Sequence, residues 1–236
     1  MIDESGILHF NFGIAAVLFD ARPVFTAIRV ADEAGRIQVS DSLDRTLHEL
    51  VLHLATRSQM LVRCLKHLDG ALEPAINSAV PVGTEQNFTE LGDAEIYSLL
   101  LFIDCFLFES CAYMEVLKKF VGCVLTDVLG ISRDNVRKKF AQIKDRSGRV
   151  GGKTWMAFLS NARNHFAHAG TPWIAIDRRR GPEGVRDVVV MRENIKNLAD
   201  ADPATYFYAI RDLDAAWQGL MKTSKNCHDY VLQQLR

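Results

Sequence analysis

From Asp41 onward, Leu43, Leu47, Leu50, Leu54, Leu61, Cys64 and Leu68 recur at steps of three, four and seven residues. This near-heptad spacing draws one apolar stripe along a helix, and a helix with such a stripe must be covered by another. Arg57 occupies the position where the stripe should carry an apolar residue. The pattern predicts a helix of about seven or eight turns with Asp41 as its cap.

The cover is found downstream. Residues 94–125 read as a second long helix, apolar nearly all round in its first half and amphipathic after Glu109. Its most hydrophobic run, Ser98 to Phe108, is only about half the ~20 residues that a bilayer crossing needs, and it contains Asp104. It therefore reads as the central helix of a bundle, without a membrane partner. Asp104 and Glu115 lie eleven residues apart and share a face, with Lys118 and Lys119 in reach of Glu115. Between the two long helices, residues 69–93 carry Gly, Pro, Asn, Ser and Thr without helical periodicity and read as a long surface connection.

Ser132 to Ile143 reads as a shorter basic helix capped by Ser132, and residues 145–152 as a loop rich in Gly and Arg. A helix follows in which Trp155, Phe158, Leu159, Ala162, Phe166 and Ala169 form an apolar stripe. Gly170-Thr171-Pro172 is the expected stop. The segments 173–176 and 185–190 then read as a β-hairpin whose tip holds Arg178, Arg179 and Arg180. Asp202-Pro203 opens a last helix with Tyr206, Ile210, Leu213, Trp217, Leu220, Cys227, Val231 and Leu235 on one seam. Residues 7–38 fit either a helix or a buried strand, with Pro23 interrupting.

The expected fold is all-α: an antiparallel bundle of four to five main helices with a small β-hairpin after the fourth. Residues 1–40 are set apart as an amino-terminal segment of open structure, and residues 41–236 as the bundle, with the hairpin inserted near 173–191. At 236 residues, one large domain has ample chain for a core. Apolar residues at 48% and charged residues at 24% describe a soluble globular chain. The acidic start Met1-Ile2-Asp3-Glu4 is unlike a secretory signal, so the cytoplasm is the expected location. Five cysteines with no Cys-x2-Cys pair point to reduced thiols rather than a disulfide frame or a zinc site.

Net charge is only −1, yet it is unevenly spread: residues 116–153 hold ten Lys or Arg against three Asp. This basic block, Arg137, Lys138 and Lys139 above all, is a candidate surface for RNA, as is the hairpin-tip triplet Arg178, Arg179 and Arg180. Solvated helix faces and a soluble turn account for the same charges.

Beyond the basic block stands Asn161-Ala162-Arg163-Asn164-His165-Phe166-Ala167-His168. Ser160, Asn164 and His168 follow at i, i+4 and i+8 and form a polar column opposite the apolar stripe, with Arg163 beside it. Metal-free RNA cleavage needs a base for the 2′-OH proton, an acid for the 5′-oxygen and a cation for the phosphorane. His168 is the proton carrier, Arg163 the guanidinium fork for phosphate oxygens, and Asn164 a residue that orients His168 or holds a phosphate. Asp104, Glu109, Ser160 and His165 are candidates for supporting the set. The alternative is structural: Arg163 pairs with Asp104 or Glu109, and His168 caps its helix. His165 and His168 stand three apart, but no nearby carboxylate or cysteine completes a metal site, so no metal or other cofactor is expected. Cys227-His228 is a weaker pair, since Cys227 fits the apolar seam.

Arg163, four residues, then His168, with Asn164 directly after the arginine, resembles the signature of the HEPN superfamily. The resemblance implies a helical bundle, a homodimer in which two motifs meet, and a metal-independent ribonuclease of toxin-antitoxin, phage-defence or RNA-processing systems. It implies RNA or a nucleotide as ligand, and an antitoxin or a nucleotidyltransferase as partner. A non-catalytic module that binds nucleotides, RNA or protein is the other function the same resemblance allows.

Overall fold

A computed structural model describes residues 18–78, 88–168, 172–177, 187–191 and 206–236. Within them the chain forms six α-helices: α1 (Arg22–Glu33), α2 (Asp41–Ser78), α3 (Asp93–Cys123), α4 (Arg133–Arg146), α5 (Trp155–His168) and α6 (Ile210–Leu235). The long helices α2 and α3 pack along each other. Their seam buries Leu47, Leu54, Leu61, Leu65 and Leu68 against Leu99, Ile103, Phe106, Leu107 and Tyr113. Each leucine so buried contributes roughly 1.5–3 kcal/mol, which makes this seam the main support of the fold.

The near-heptad stripe accounts for α2, but the helix outruns the expected seven or eight turns. It continues to Ser78, through Pro74, and so takes in the first part of the segment read as a surface connection. Leu72, Ala75 and Ile76 explain this, because they keep the apolar period and are fully or nearly buried. Packing offsets the hydrogen bond that Pro74 cannot make, and the helix runs only one further turn beyond it. The cap also differs: the Leu43 amide donates to Ser40 Oγ at 3.3 Å, so Asp41 sits inside the first turn. Helix α3 passes at its end into a π-helical turn, Val124–Val128, before Gly130 at φ 67° lets the chain reverse into α4.

Pro23 does not interrupt the amino-terminal region. It lies in the first turn of α1, where a missing amide hydrogen costs nothing. Leu18, Phe19, Val24 and Ile28 enter the same apolar core as α2, α3 and α6. A polar chain fixes this entry: Tyr113 Oη and Ser224 Oγ lie 2.6 Å apart, and Ser224 donates to the Leu18 carbonyl at 2.7 Å. The Leu18 amide donates in turn to Ser58 Oγ at 3.1 Å.

The expected hairpin is half of a larger sheet. Strands β1 (Phe88–Glu90), β4 (Ile174–Asp177), β5 (Asp187–Met191) and β6 (Tyr206–Ala209) form an antiparallel sheet in the order β1-β4-β5-β6. The fold is therefore mostly helical with a small sheet. Alternation explains the extra strands. Ile174, Ile176, Val188 and Val190 face the main core, while Ala175, Val189 and Met191 join Phe88 and Ala209 in a second cluster on the other face. With both faces of the central pair buried, its free edges take neighbours from distant parts of the chain. Residues 206–209 are one of these, so α6 starts at Ile210 and not near Asp202-Pro203. The hairpin tip with Arg178, Arg179 and Arg180 lies outside the described residues.

A further pair of short strands, β2 (Arg149–Val150) and β3 (Lys153–Thr154), turns the Gly/Arg loop into a tight hairpin. Gly151 and Gly152, at φ 54° and 78°, supply the two positive φ values that its turn requires.

Two of the five cysteines depart from the expected reduced thiols. Cys64 on α2 and Cys105 on α3 pair as a disulfide with their Cα atoms 6.3 Å apart, because the α2–α3 seam brings together positions 41 residues apart in sequence. Cys111, Cys123 and Cys227 are free thiols.

Candidate functional site

The helix that carries Arg163 and His168 is anchored at its start. Thr154 Oγ1 accepts from the Ala157 amide at 3.3 Å and so caps α5. The Trp155 ring is fully buried, and its Nε1 donates to the Lys144 carbonyl at the end of α4 at 3.2 Å. Phe158, Leu159 and Ala162 bury the stripe as the sequence predicts, and Phe166 is half-buried against the core. The opposite face is thereby left to solvent: Arg163, Asn164 and His168 are exposed, Ser160 and His165 half-buried.

The guanidinium of Arg163 lies over the Phe108 ring of α3, 5.7 Å from its centroid. It forms no ion pair among the described residues, and the two acids proposed as its partners are otherwise disposed. Glu109, only 3% exposed, is held by Arg57, whose Nη1 donates to both carboxylate oxygens at 2.7 and 2.8 Å. Asp104 is exposed on α3, and its charge adds to the burial that pushes the Tyr208 phenol well above its usual range. Tyr208 itself packs edge-on against Phe158, with centroids 5.6 Å apart. The stabilising pair of Arg163 with Glu109 is therefore replaced by Arg57 with Glu109. Arg57, which seemed only to break the stripe, is the counter-charge that lets α3 bury an acid.

The positive charge of Arg163 also reaches Cys111, whose thiol burial pushes up and Arg163 partly restores. His168 makes no hydrogen bond among the described residues, so the helix-capping role is not realised there. At 100° per residue, Arg163 and His168 point about 140° apart around α5, whereas Asn164 and His168 share a face. Cys227 stays in the seam of α6, where burial pushes its thiol up to about 12, so it offers no thiolate near neutral pH.

Next to this face is a cavity of about 710 Å³ between α3, α4 and the start of α5. Met114, Phe140 and Met156 supply its apolar side. Lys118, Arg137, Lys138 and Lys144 stand on it as cations, with Glu115 and Asp134 as the two acids. None of these four cations forms an ion pair among the described residues, and Glu115 is not paired with Lys118 or Lys119. A second hollow of about 550 Å³ on the other side of α4 shares Lys118, Arg137 and Phe140 and adds Lys119 and Arg133. Of the three basic residues singled out on α4, Arg137 and Lys138 line the cavity. Lys139 does not: its Nζ lies 4.8 Å over the Tyr230 ring of α6. Periodicity does not make this division, since Lys138 stands about 100° from both Arg137 and Lys139 on the helix, and the apolar side could not be read locally because it is assembled from two helices and the start of a third.

No protein-family model, curated protein or solved structure matches the chain.

Proposed function

We propose that this protein is a HEPN-like, metal-independent endoribonuclease that uses Arg163 and His168 of two copies to cleave RNA beside a 2′-OH. The observation that carries the reading is the state of Arg163: exposed, resting on Phe108, and without a carboxylate partner among the described residues while Glu109 is held by Arg57. A guanidinium left unpaired beside a basic surface is suited to a phosphate. Asn164, one helical turn before His168, is placed to orient the imidazole or hold a second phosphate oxygen.

The angle of about 140° between Arg163 and His168 makes one chain a poor pair of hands for a single phosphate. A second copy supplies the missing group. Its seat is the exposed stripe on α3 formed by Tyr97, Leu101 and Phe108, which are 68%, 64% and 48% exposed. Arg163 stands beside this stripe, so a two-fold arrangement on its apolar residues brings both copies' arginines to the rim of one seam, where they stay open to a phosphate. In the cleavage step one His168 takes the 2′-OH proton as the 2′-oxygen attacks phosphorus. The other protonates the departing 5′-oxygen, giving a 2′,3′-cyclic phosphate, and Arg163 stabilises the phosphorane.

The test is cleavage of a labelled RNA, with and without chelator, by the wild type and by His168→Ala and Arg163→Ala. Loss of activity in both variants, unaffected by chelator in the wild type, is expected. Equal cleavage by all three proteins would refute the reading, and RNA binding without cleavage would favour a binding module.

A further inference from the structure

We infer that the cavity between α3, α4 and α5 is a binding site for one nucleoside phosphate unit, with the base against Met114, Phe140 and Met156 and the phosphate on Lys118, Arg137 and Lys144. Three observations lead there. The volume of about 710 Å³ falls within the range of small-molecule sites. The side formed by a phenyl ring and two thioethers is broad, polarizable and apolar, as a planar base requires, whereas a simple anion would need no such surface. The cations at its edge are unpaired among the described residues and outnumber the acids four to two. The two carboxylates, Glu115 and Asp134, add acceptors for amino or hydroxyl groups of the same ligand and disfavour a purely acidic peptide.

Position connects this site to the motif. Met156 and Arg163 are seven residues apart on one face of α5, and Glu115 and Phe108 are seven apart on one face of α3. The Arg163 guanidinium lies over Phe108, and both Glu115 and Met156 line the cavity. The cavity is thus about 10 Å along the same inter-helix face from Arg163. If the ribonuclease reading holds, on which this step rests, the cavity takes a base flanking the cleaved bond and sets sequence preference. The second hollow, reached across the shared Lys118 and Arg137, extends the cationic path away from Arg163.

The experiment measures fluorescence anisotropy of a labelled 2′-O-methyl RNA pentamer, which cannot be cleaved, with the full chain. The variants are Arg137→Glu, Met156→Glu and, as a control away from cavity and motif, Arg29→Ala on α1, each checked by thermal melting. Arg137→Glu and Met156→Glu are expected to weaken binding at least tenfold, Arg29→Ala less than twofold, and a pentamer with abasic residues is expected to bind at least fivefold more weakly than the intact one. Affinities of both cavity variants within twofold of wild type, at unchanged melting temperature, would overturn the inference, as would equal binding of the abasic pentamer. Competition by free mononucleotides identifies the source: displacement at concentrations near the pentamer's Kd points to a free nucleotide, and displacement only at hundredfold higher concentration to a strand. Either result upholds the site. Because no arm depends on cleavage, an inactive protein that passes these tests would refute the ribonuclease and leave the nucleotide site standing.

Discussion

Arg57 on α2 holds both oxygens of the buried Glu109 on α3 through a single nitrogen, at 2.7 and 2.8 Å. The acid is nearly sealed from water, whereas the Arg57 side chain keeps a third of its surface exposed. Removing the arginine therefore leaves a buried charge without a partner. Arg57→Ala is expected to cost about 3 kcal/mol in urea unfolding, and the double variant Arg57→Met with Glu109→Leu much less. If Arg57→Ala unfolds at the wild-type midpoint, the pair does not hold the helices together.

Gly219 on α6 faces the ring of Trp155, and a Cβ there would lie 2.8 Å from Cδ1 and 2.9 Å from Cβ of the tryptophan. Alanine favours a helix over glycine by about 1 kcal/mol, but the tryptophan is fully buried and its Nε1 is tied to Lys144. Overpacking wins: Gly219→Ala is expected to lose about 1–3 kcal/mol. A higher melting temperature than wild type would show that the ring moves freely.

Leu101 is exposed at the centre of the α3 stripe and touches no catalytic group. Leu101→Glu is expected to leave the circular dichroism spectrum unchanged, to turn a dimer into a monomer in sedimentation equilibrium, and to lower RNA cleavage at least tenfold. A monomeric wild type that still cleaves RNA would remove the need for a second copy.

Asp187 is buried beside the start of α6. Burial raises its carboxyl from 3.8 to about 6, although Arg211 Nε at 2.9 Å opposes the shift and Asp212 adds to it. A raised acid pKa means that the folded state binds this proton more tightly than the unfolded state. Its contribution is complete below about pH 4 and is lost as pH rises through about 6, a span worth about 3 kcal/mol. Asp187→Asn is expected to flatten the stability profile across that window and to be more stable than wild type at pH 7. A variant less stable at pH 7 would mean that the ion pair with the half-exposed Arg211 outweighs desolvation.

Local periodicity carried much of the fold. The stripes of α2, α3, α5 and α6 repeat over many turns, and the Ser132 cap of α4 is made as expected, with the Asn135 amide 3.4 Å from Ser132 Oγ. Elements whose stability comes from distant partners were not legible. The strand at residues 88–90 is three residues long and exists because β4 needs a neighbour. The last turns of α2 are held by burial of Leu72 and Ile76 in spite of Pro74.

At the candidate site, helical periodicity was enough to put Arg163, Asn164 and His168 on the polar side of an amphipathic helix, because a buried stripe at 3.6 residues per turn leaves the other face to solvent. What each charge meets was set by the packing of the helices. It gave Glu109 to Arg57, set Arg163 over Phe108, turned Lys139 to Tyr230, and joined Met114, Phe140 and Met156 into one cavity. Those outcomes depend on how helices far apart in sequence pack side by side, and periodicity within one helix carries no information about its neighbour's register.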